Sequence, residues 1–318
     1  MIYWGPLRGL PRRVWTHLPE SLRLSSLGQA YGRLVHARVR YRATRSQFVG
    51  TLFLRNRAEL ELMRRLVDRK ALGSSLNISV LACSKGAEVY SISWVIRSAR
   101  PDLSLTIRGV DISHEILEFA QRGVYSRHPI DVLKTQSCEG VAERKDITWN
   151  TWRDQGSPQG DVSIFERLTD EEMEALFELN SDLATVKPLL REGVSWLHGD
   201  AGDPQLIDVL DHADIVVANR FLCHMKPPAA ERCLRNLARL VKPGGYLFVS
   251  GIDLDVRTKV AQEMGWKPVT DLMKEIHEGD PTLTKNWPLE YFGLEPFRDD
   301  RPDWKIRYAS VFQIDEPA

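Results

Sequence analysis

Residues 77–91 read NISVLACSKGAEVYS, and this stretch decides the fold. Asn77–Cys83 is an apolar run of strand length, a Ser-Lys-Gly turn follows, and a helical pattern then runs from Ala87 to about Ala99. This order predicts a strand–turn–helix unit of a parallel α/β sheet, in which ligands bind beyond the carboxyl ends of the strands. The turn contains neither GxxxxGK[ST] nor GxGxxG, so it does not predict a phosphate-binding loop.

Four further apolar runs of strand length alternate with helical patterns along the chain. They are Leu105–Asp111, Val194–Leu197, Ala213–Asn219 and Tyr246–Ile252. Strands and helices that alternate at this spacing predict a doubly wound, mostly parallel sheet of the Rossmann-like α/β class. The last apolar run, Lys305–Ile314, predicts a closing strand at an antiparallel edge of that sheet.

Capping residues predict where two of the helices begin and end. Ser113 precedes an apolar stripe that Gly123 closes, which is the usual placement of an N-cap and a C-cap. Pro227 and Pro228 open another helix, and we expect Pro243-Gly244-Gly245 to end it.

Patterning also predicts how the chain is organised into domains. We expect an arginine-rich helical extension at residues 1–50 and one α/β domain at residues 51–318. The domain carries two inserts, at about residues 124–193 and about 270–303. The first insert holds a Gly/Pro/Ser-rich turn, Asp154–Asp161, and an acidic helix. Thr169 and Glu172 at the start of that helix have the spacing of a capping box.

The overall charge of zero conceals a strongly basic N-terminus. Within residues 1–50 the acid is Glu20 alone, against nine arginines: Arg8, Arg12, Arg13, Arg23, Arg33, Arg38, Arg40, Arg42 and Arg45. We interpret this segment as an arm that docks on an acidic surface of the domain. Recruitment of nucleic acid, acidic protein or anionic lipid, and an organelle transit peptide, are the alternatives. We expect no nucleic-acid partner, because no aromatic residues are interleaved as in single-strand binders.

Other features of the sequence bear on the compartment. No run approaches the roughly 18 consecutive apolar residues that a membrane span needs, and no secretory signal pattern is seen. The four cysteines are scattered without a CxxC pair: Cys83, Cys138, Cys223 and Cys233. We therefore expect reduced thiols in the cytoplasm, with neither disulfides nor a metal site.

Acidic residues follow three of the predicted strands. Glu88 lies in the first helical turn after the first strand, Asp111 ends the second, and Asp200 follows the third. A carboxylate at the end of the second strand is well placed to accept hydrogen bonds from a ribose. An acid near the first turn repels a pyrophosphate but suits an ammonium group. Together the acids predict a nucleoside site without phosphates, as S-adenosylmethionine requires. Taken singly, Glu88 could serve the helix dipole and Asp111 the helix cap.

Several stretches resemble the chemotaxis-receptor glutamate methyltransferases (CheR type). Residues 83–91, CSKGAEVYS, are similar to the family's CSTGEEPYS, and residues 51–55, TLFLR, to its T-x-F-F-R. The resemblance continues in order to about residue 252 through VDIS (110–113), GVY (123–125), VSWLHGDAGD (194–203), DIVVANRFLCHM (214–225) and KPGGYLFVSG (242–251). It implies a methyltransferase that uses S-adenosyl-L-methionine.

The resemblance also implies roles for individual residues. Arg55 would hold the carboxylate of the cofactor's methionine moiety and Glu88 its ammonium, while Asp111 would hold the ribose. Asp200 and Ala201 would contact the adenine. The expected cofactor site is completed by Thr51, Cys83, Ser84, Gly86, Ile112 and Asn219.

The chain departs from the family pattern where the methyl acceptor would bind. Asn219-Arg220 replaces Arg-Asn, and His224 stands where the family has a tyrosine beside the acceptor. We expect these three residues to be catalytic. His224 would be a base for a hydroxyl or amine acceptor, or else a histidine that orients its loop. Lys85, Ala87 and Val89 also depart from the signature, and the receptor-binding domain is reduced to the arginine-rich extension.

The sequence leaves the methyl acceptor open. The absent receptor-binding domain and His224 favour transfer to an O (or N) atom of a small molecule. A protein-glutamate O-methyltransferase that forms a methyl ester is the alternative, and a non-catalytic cofactor-binding scaffold is a further one. We expect Trp287, Tyr291 and Phe292 to help wall the acceptor pocket, with plain core packing as the other interpretation.

Overall fold

The computed structural model describes residues 10–45, 50–127 and 163–315. Its strands are β1 (Ser75–Leu81), β2 (Ser104–Asp111), β3 (Val124–Ser126), β4 (Phe177–Leu179), β5 (Leu183–Val186), β6 (Val194–His198), β7 (Ala213–Val217), β8 (Val241–Phe248), β9 (Lys267–Pro268) and β10 (Val311–Ile314). Seven of them form the main sheet in the order β6-β2-β1-β7-β8-β10-β9, and β3-β5-β4 form a small second sheet.

The pairing confirms the predicted doubly wound, mostly parallel sheet. β1 pairs in parallel with β2 and β7, β2 with β6, and β7 with β8. β10 runs antiparallel to both β8 and β9, as expected for the closing strand. From β1, the strands β2 and β6 are added on one side of the sheet, and β7 and β8 are then added on the other side. The strand order therefore reverses between β1 and β7, and a crevice opens at the carboxyl ends of these two strands.

Helices cover both faces of the main sheet. They are α1 (Leu10–His17), α2 (Glu20–Leu24), α3 (Ser26–Arg42), α4 (Arg57–Val67), α5 (Ala87–Ala99), α6 (His114–Arg122), α7 (Asp170–Leu176), α8 (Pro188–Arg191), α9 (Leu206–Val209), α10 (Pro227–Ala238), α11 (Leu254–Glu263), α12 (Met273–Glu278), α13 (Pro281–Thr284) and α14 (Trp304–Tyr308), with a 3₁₀ turn at Leu222–His224.

The period-2 alternation of β7 divides the core into two layers. Val216 packs with α10 and α11 on one face, whereas Ile215 and Val217 pack with α4 and α5 on the other. A third cluster of aromatic rings lies beside the small sheet, where the Phe53 ring contacts Phe177 edge-on at 5.0 Å between centroids. The sheet is therefore buried on both faces, as parallel sheets require.

Two predicted boundaries are wrong for identifiable reasons. α10 ends at Ala238, and Pro243-Gly244-Gly245 lies inside β8. The pairing of β7 with β8 shifts in register from Ala213↔Val241 to Ile215↔Tyr246. The Pro-Gly-Gly segment therefore forms an irregular part of the strand, in which Gly244 has a φ of 78°. In the closing segment only Val311–Ile314 is strand, because Trp304–Tyr308 forms α14.

The predicted caps of α6 and α7 are confirmed. The Ser113 side chain accepts from the Ile116 amide, and Gly123 closes α6 with a φ of 63°. Thr169 and Glu172 form the expected capping box at the start of α7. The turn predicted at Asp154–Asp161 and the thiol of Cys138 lie outside the described residues.

The described part of the arginine-rich segment is helical and contacts acidic residues. Arg45 donates from Nη2 to Asp253 Oδ2 at 2.9 Å and from Nη1 to the carbonyls of Cys223 and Met225. Arg40 pairs with Asp255. This agrees with the interpretation of an arm docked on an acidic surface of the same chain. Within residues 10–45, 50–127 and 163–315, no helix has the length and apolar content to cross a membrane.

The Arg45–Asp253 ion pair generates a stability prediction. Both side chains are only 5% exposed. Arg45→Ala should lower the free energy of unfolding by about 3 kcal/mol, because the buried Asp253 carboxylate loses the nearer of its two cations and keeps only Arg40 at 4.0 Å. Arg42→Ala, at an exposed position three residues earlier, should change it by less than about 0.5 kcal/mol. Urea denaturation of both variants measures the difference, and equal effects would show that the pair does not stabilise the fold.

Candidate active site

The carboxyl ends of β1, β7 and β8 meet around a small enclosed cavity of about 40 Å³. The predicted residues that line it are Thr51, Arg55, Glu88, Asn219 and Arg220. Further polar lining residues, which the sequence did not identify, include Glu59, Ser250, His277 and Asp280. The structure thus brings together residues from five separate stretches of chain at the point where the strand order reverses.

The turn after β1 directs α5 into this crevice. Ala82, Ser84 and Gly86 all have positive φ angles, of 52°, 50° and 83°. A Cβ on Gly86 would lie 2.9 Å from Cη2 of Trp196, so the close approach of the turn to β6 requires glycine. The first turn of α5 therefore begins at the edge of the cavity and carries Glu88 into it.

Asn219 joins two carboxyl groups inside the cavity. Its Nδ2 donates to Oε1 of Glu88 at 2.8 Å and to Oε1 of Glu59 at 2.5 Å. Its Oδ1 accepts from the backbone amide and the hydroxyl of Ser250, at 2.8 and 2.9 Å. One side-chain amide thereby ties α4, α5 and the loops after β7 and β8 together.

Burial sets the protonation of the two carboxyl groups. Desolvation, and then the neighbouring Glu88, raise the pKa of Glu59 to about 8. Desolvation also raises the pKa of Glu88, although Asn219 and Arg55 oppose this. Glu59 was missed because it occupies a position in the buried stripe of α4 that Leu62, Met63 and Leu66 otherwise fill. An acid within an apolar stripe was the available sequence signal.

Arg55, two residues before α4, places a cation in the lining of the same cavity. Its Nη2 donates to the Gly50 carbonyl at 2.8 Å. Burial, and then the nearby Arg220, lower the pKa of Arg55 to about 10, so it remains charged at neutral pH. Arg220 pairs with Asp280 Oδ2 at 3.0 Å, and Arg167 pairs with Oδ1 of the same carboxylate at 2.9 Å.

Asp111 lies at the end of β2, beside this cavity but outside it. Its Oδ2 accepts from the Ser84 amide at 2.8 Å and its Oδ1 from the Ser113 amide at 3.1 Å. The residue is 9% exposed, and the next one, Ile112, is 44% exposed. The carboxylate therefore fixes the turn after β1, and an apolar side chain stands at the rim of the crevice.

The remaining predicted residues lie along the same edge of the sheet. Asp200 is exposed after β6, and its Oδ1 accepts from the Gly202 amide at 2.8 Å. The carbonyl of Ala201 accepts from the Cys233 thiol. Burial raises the pKa of Cys83 well above that of an ordinary thiol, so Cys83 is not a thiolate nucleophile. Among the described residues, no three His, Cys, Asp or Glu side chains are grouped so as to hold a metal ion.

His224 follows β7 and contacts the second insert. Its Nδ1 lies 2.7 Å from the hydroxyl of Tyr291, within hydrogen-bond distance. Burial, and then the charges of Arg220 and Arg45, lower the pKa of His224 to about 4, so the imidazole is neutral at physiological pH.

The aromatic residues of the second insert divide into two roles. Tyr291 reaches His224, and its ring contacts Phe292 at 5.3 Å. Trp287 is buried edge-on against Trp15 of the extension at 5.2 Å, so the core-packing interpretation holds for it. Other residues of this insert, including Asp280, line the cavity.

Comparisons with known proteins agree with this arrangement. The family model for the CheR methyltransferase SAM-binding domain matches residues 50–148, and a general methyltransferase domain model matches residues 169–249. An uncharacterized 104.1 kDa protein from the hypE 3′ region of Rhodobacter capsulatus is 23% identical over 199 residues, which is 61% of this chain. The matching region makes up only 17% of the length of that Rhodobacter capsulatus protein.

Similar solved structures include two named methyltransferases. Magnesium protoporphyrin IX methyltransferase from Synechocystis PCC 6803, with bound SAM, is 12% identical with a TM-score of 0.34, covering 75% of this chain and 87% of its own. An O-methyltransferase family protein from Burkholderia thailandensis is 15% identical with a TM-score of 0.33, covering 74% and 46%. The two matches show that the chain carries an S-adenosylmethionine-dependent methyltransferase domain, with S-adenosylmethionine as its cofactor, and that residues 50–148 of it are similar to the SAM-binding domain of CheR methyltransferases.

Proposed function

We propose that the protein transfers a methyl group from S-adenosylmethionine to an O (or N) atom of a small molecule. The observation that carries this proposal is the buried set of Arg55, Glu88 and Asn219 in an enclosed cavity at the strand-order reversal. A guanidinium and a carboxylate a short distance apart match the two charged ends of an amino acid. A cofactor without an amino-acid tail has no use for them.

The residues fit the methionine moiety of the cofactor. Oε2 of Glu59 is buried without a hydrogen-bond partner among the described residues, so once ionised it can accept from a donor on a bound ligand. The cofactor's ammonium is such a donor, and Glu88 would hold it there. Arg55 would hold its carboxylate, since a buried guanidinium binds carboxylates with charge-assisted hydrogen bonds.

The nucleoside would lie along the neighbouring strand ends. Asp111 would accept from the ribose hydroxyls while its backbone bonds keep the carboxylate oriented. The exposed Ile112 side chain would pack against the adenine, with Asp200 and Ala201 at its edge. Cys83, Ser84 and Gly86 would form the floor of the site, and Thr51 would flank Arg55.

A second cavity supports a small-molecule acceptor. It has a volume of about 420 Å³, within the usual range for small-molecule pockets, and lies between α3 and the loop after β8. Tyr291, the partner of His224, lines it. Ser250 lines the first cavity and Ile252 the second, and two residues of chain reach at most about 7 Å. An acceptor in the second cavity would therefore lie close to the bound cofactor.

The chemistry needs orientation more than it needs a strong base. When bound, S-adenosylmethionine would supply a methyl group on its sulfonium, and in-line attack of the acceptor on the methyl carbon would break the carbon–sulfur bond and release S-adenosylhomocysteine. His224 is neutral and would accept a hydrogen bond from the acceptor's hydroxyl or amine, which orients its lone pair. Asn219 and Arg220 hold the loop that positions His224. The three described cysteines are free thiols, which suits the reducing cytoplasm.

Cofactor binding tests the first part of the proposal. The purified protein should bind S-adenosylhomocysteine but not ATP. Asp111→Ala should weaken that binding by about 1.5–3 kcal/mol, because charge-assisted hydrogen bonds to the ribose are lost. Asp208→Ala, on the exposed side of α9, is the matched control and should bind as the wild type does. Calorimetry that finds ATP bound and S-adenosylhomocysteine not bound would overturn the proposal.

Methyl transfer tests the acceptor. Protein incubated with cofactor labelled in the methyl group and a host-cell extract should place label in the small-molecule fraction. His224→Ala should lower that incorporation by about 10² or more while S-adenosylhomocysteine affinity stays unchanged. Base-labile label on protein would instead show the glutamate methyl ester of the alternative function. No transfer at all, with normal cofactor binding, would indicate the non-catalytic scaffold.

A further inference from the structure

Glu59 lies behind Glu88 and has no assigned role in the proposed cofactor site. It is 5% exposed, and the Asn219 nitrogen that binds its Oε1 also binds Oε1 of Glu88. A single nitrogen therefore separates the two carboxyl groups. The second oxygen of Glu59 is buried without a hydrogen-bond partner in the described part of the chain.

Two carboxyl groups in this position cannot both be charged at low cost. Each charge disfavours the other, and burial disfavours both, so such a pair holds a proton until a cation arrives. The charged or titratable groups around Glu59 come from every neighbouring element: Arg55 before α4, Glu88 on α5, Arg220 after β7, Arg257 on α11, and His277 and Asp280 at and after α12.

Three of these neighbours are engaged by other groups. Arg220 and Arg167 are engaged by Asp280. Arg257 donates to the carbonyls of Val249 and Arg307. His277 lies 2.7 Å from the Glu295 carbonyl, and its burial keeps the ring neutral by lowering its pKa to about 4. Arg55 lowers the pKa of both carboxyl groups, but their burial outweighs it and both pKa values stay raised.

We propose that Glu59 and Glu88 share one proton in the ligand-free protein and release it to solvent when the cofactor's ammonium binds. The inference rests on the proposed function, because it takes the cofactor's amino-acid tail as the occupant of this cavity. The ammonium then donates to the pair in place of the released proton, and no other bond forms or breaks. Glu59 is accordingly a positioning residue, which sets how cofactor affinity depends on pH.

The direction of the pH dependence follows from the free protein. The pKa of Glu59 is raised to about 8, so at pH 7 the group is protonated before binding. Binding that expels a proton becomes tighter as the pH rises towards 8. A glutamine at this position resembles the protonated acid but has no proton to release. Its affinity should match the wild type below pH 7 and fall behind it above pH 8.

Calorimetry with S-adenosylhomocysteine tests this. Between pH 6.5 and pH 8.5 the wild type should gain about fivefold to tenfold in affinity relative to Glu59→Gln, and the two should agree within twofold at pH 6.5. Protonation of the ligand's own amine affects the affinity of both proteins equally, so it cancels in the ratio of the two affinities. Glu61→Gln, on the same helix but held at the surface by Arg64 and Arg65, should keep the wild-type profile.

Proton release is measured independently of any variant. Repeating the wild-type titration at pH 7 in buffers of different ionisation enthalpy should show between about half and one proton released. No released proton, or a Glu59→Gln profile parallel to that of the wild type, overturns this inference while the proposed function stands. Failure of the folded wild type to bind S-adenosylhomocysteine at any pH overturns both.

The melting temperature of ligand-free Glu59→Gln gives a further test. Glu59 is ionised in the unfolded chain at pH 7.5. Because its pKa is raised in the folded protein, Glu59 takes up a proton on folding, and this proton uptake costs free energy at that pH. Glu59→Gln should therefore unfold at a higher temperature than the wild type at pH 7.5, and the difference should shrink towards pH 5. A lower melting temperature at both pH values would contradict the raised pKa of Glu59.

Discussion

The site depends on one side chain, the amide of Asn219. Its nitrogen binds carboxyl groups from two helices, and its oxygen binds both polar groups of Ser250. An amide suits this position because it has two donor hydrogens and an acceptor oxygen in one plane. The loops after β7 and β8 and the first turns of α4 and α5 are thereby held to one geometry. The crevice at the strand-order reversal is shaped before any ligand arrives.

The arginine-rich extension stabilises the other side of the same loop. Arg45 binds the carbonyls of Cys223 and Met225, the residues on either side of His224, and pairs with Asp253 after β8. Its charge also contributes to the low pKa of His224. The segment is thus connected to the candidate acceptor site and not merely to the surface.

The sequence predicted the parts of the fold and site that follow from local pattern. Strand ends carry their residues to one edge of a parallel sheet, so Glu88, Asp111 and Asn219 could be placed without a structure. Glu59 and Asp280 could not, because they reach the cavity from a helix and an insert whose approach is set by long-range packing.

Two boundaries failed for a similar reason. The Pro-Gly-Gly segment resembles a helix terminator, yet the register shift between β7 and β8 places it in a strand. Trp304–Tyr308 became helical in a position where Arg307 and Tyr308 reach the buried Glu295. The division at residue 50 stays a prediction.

The exchanged order of Asn219 and Arg220 has a structural consequence. Asn219 takes the position between the carboxyl groups, and Arg220, which has a φ of 67° and lines the same cavity, pairs with Asp280. A positive φ is strained for an arginine. Residue 251 has to be a glycine for Arg220 to fit, because a Cβ there would lie only 2.6 Å from the Arg220 side chain. Glycine there leaves the space that the turn needs. Asn219 bridges the two carboxyl groups without adding a charge, so under the proposed function the cofactor's ammonium would be the cation that joins them.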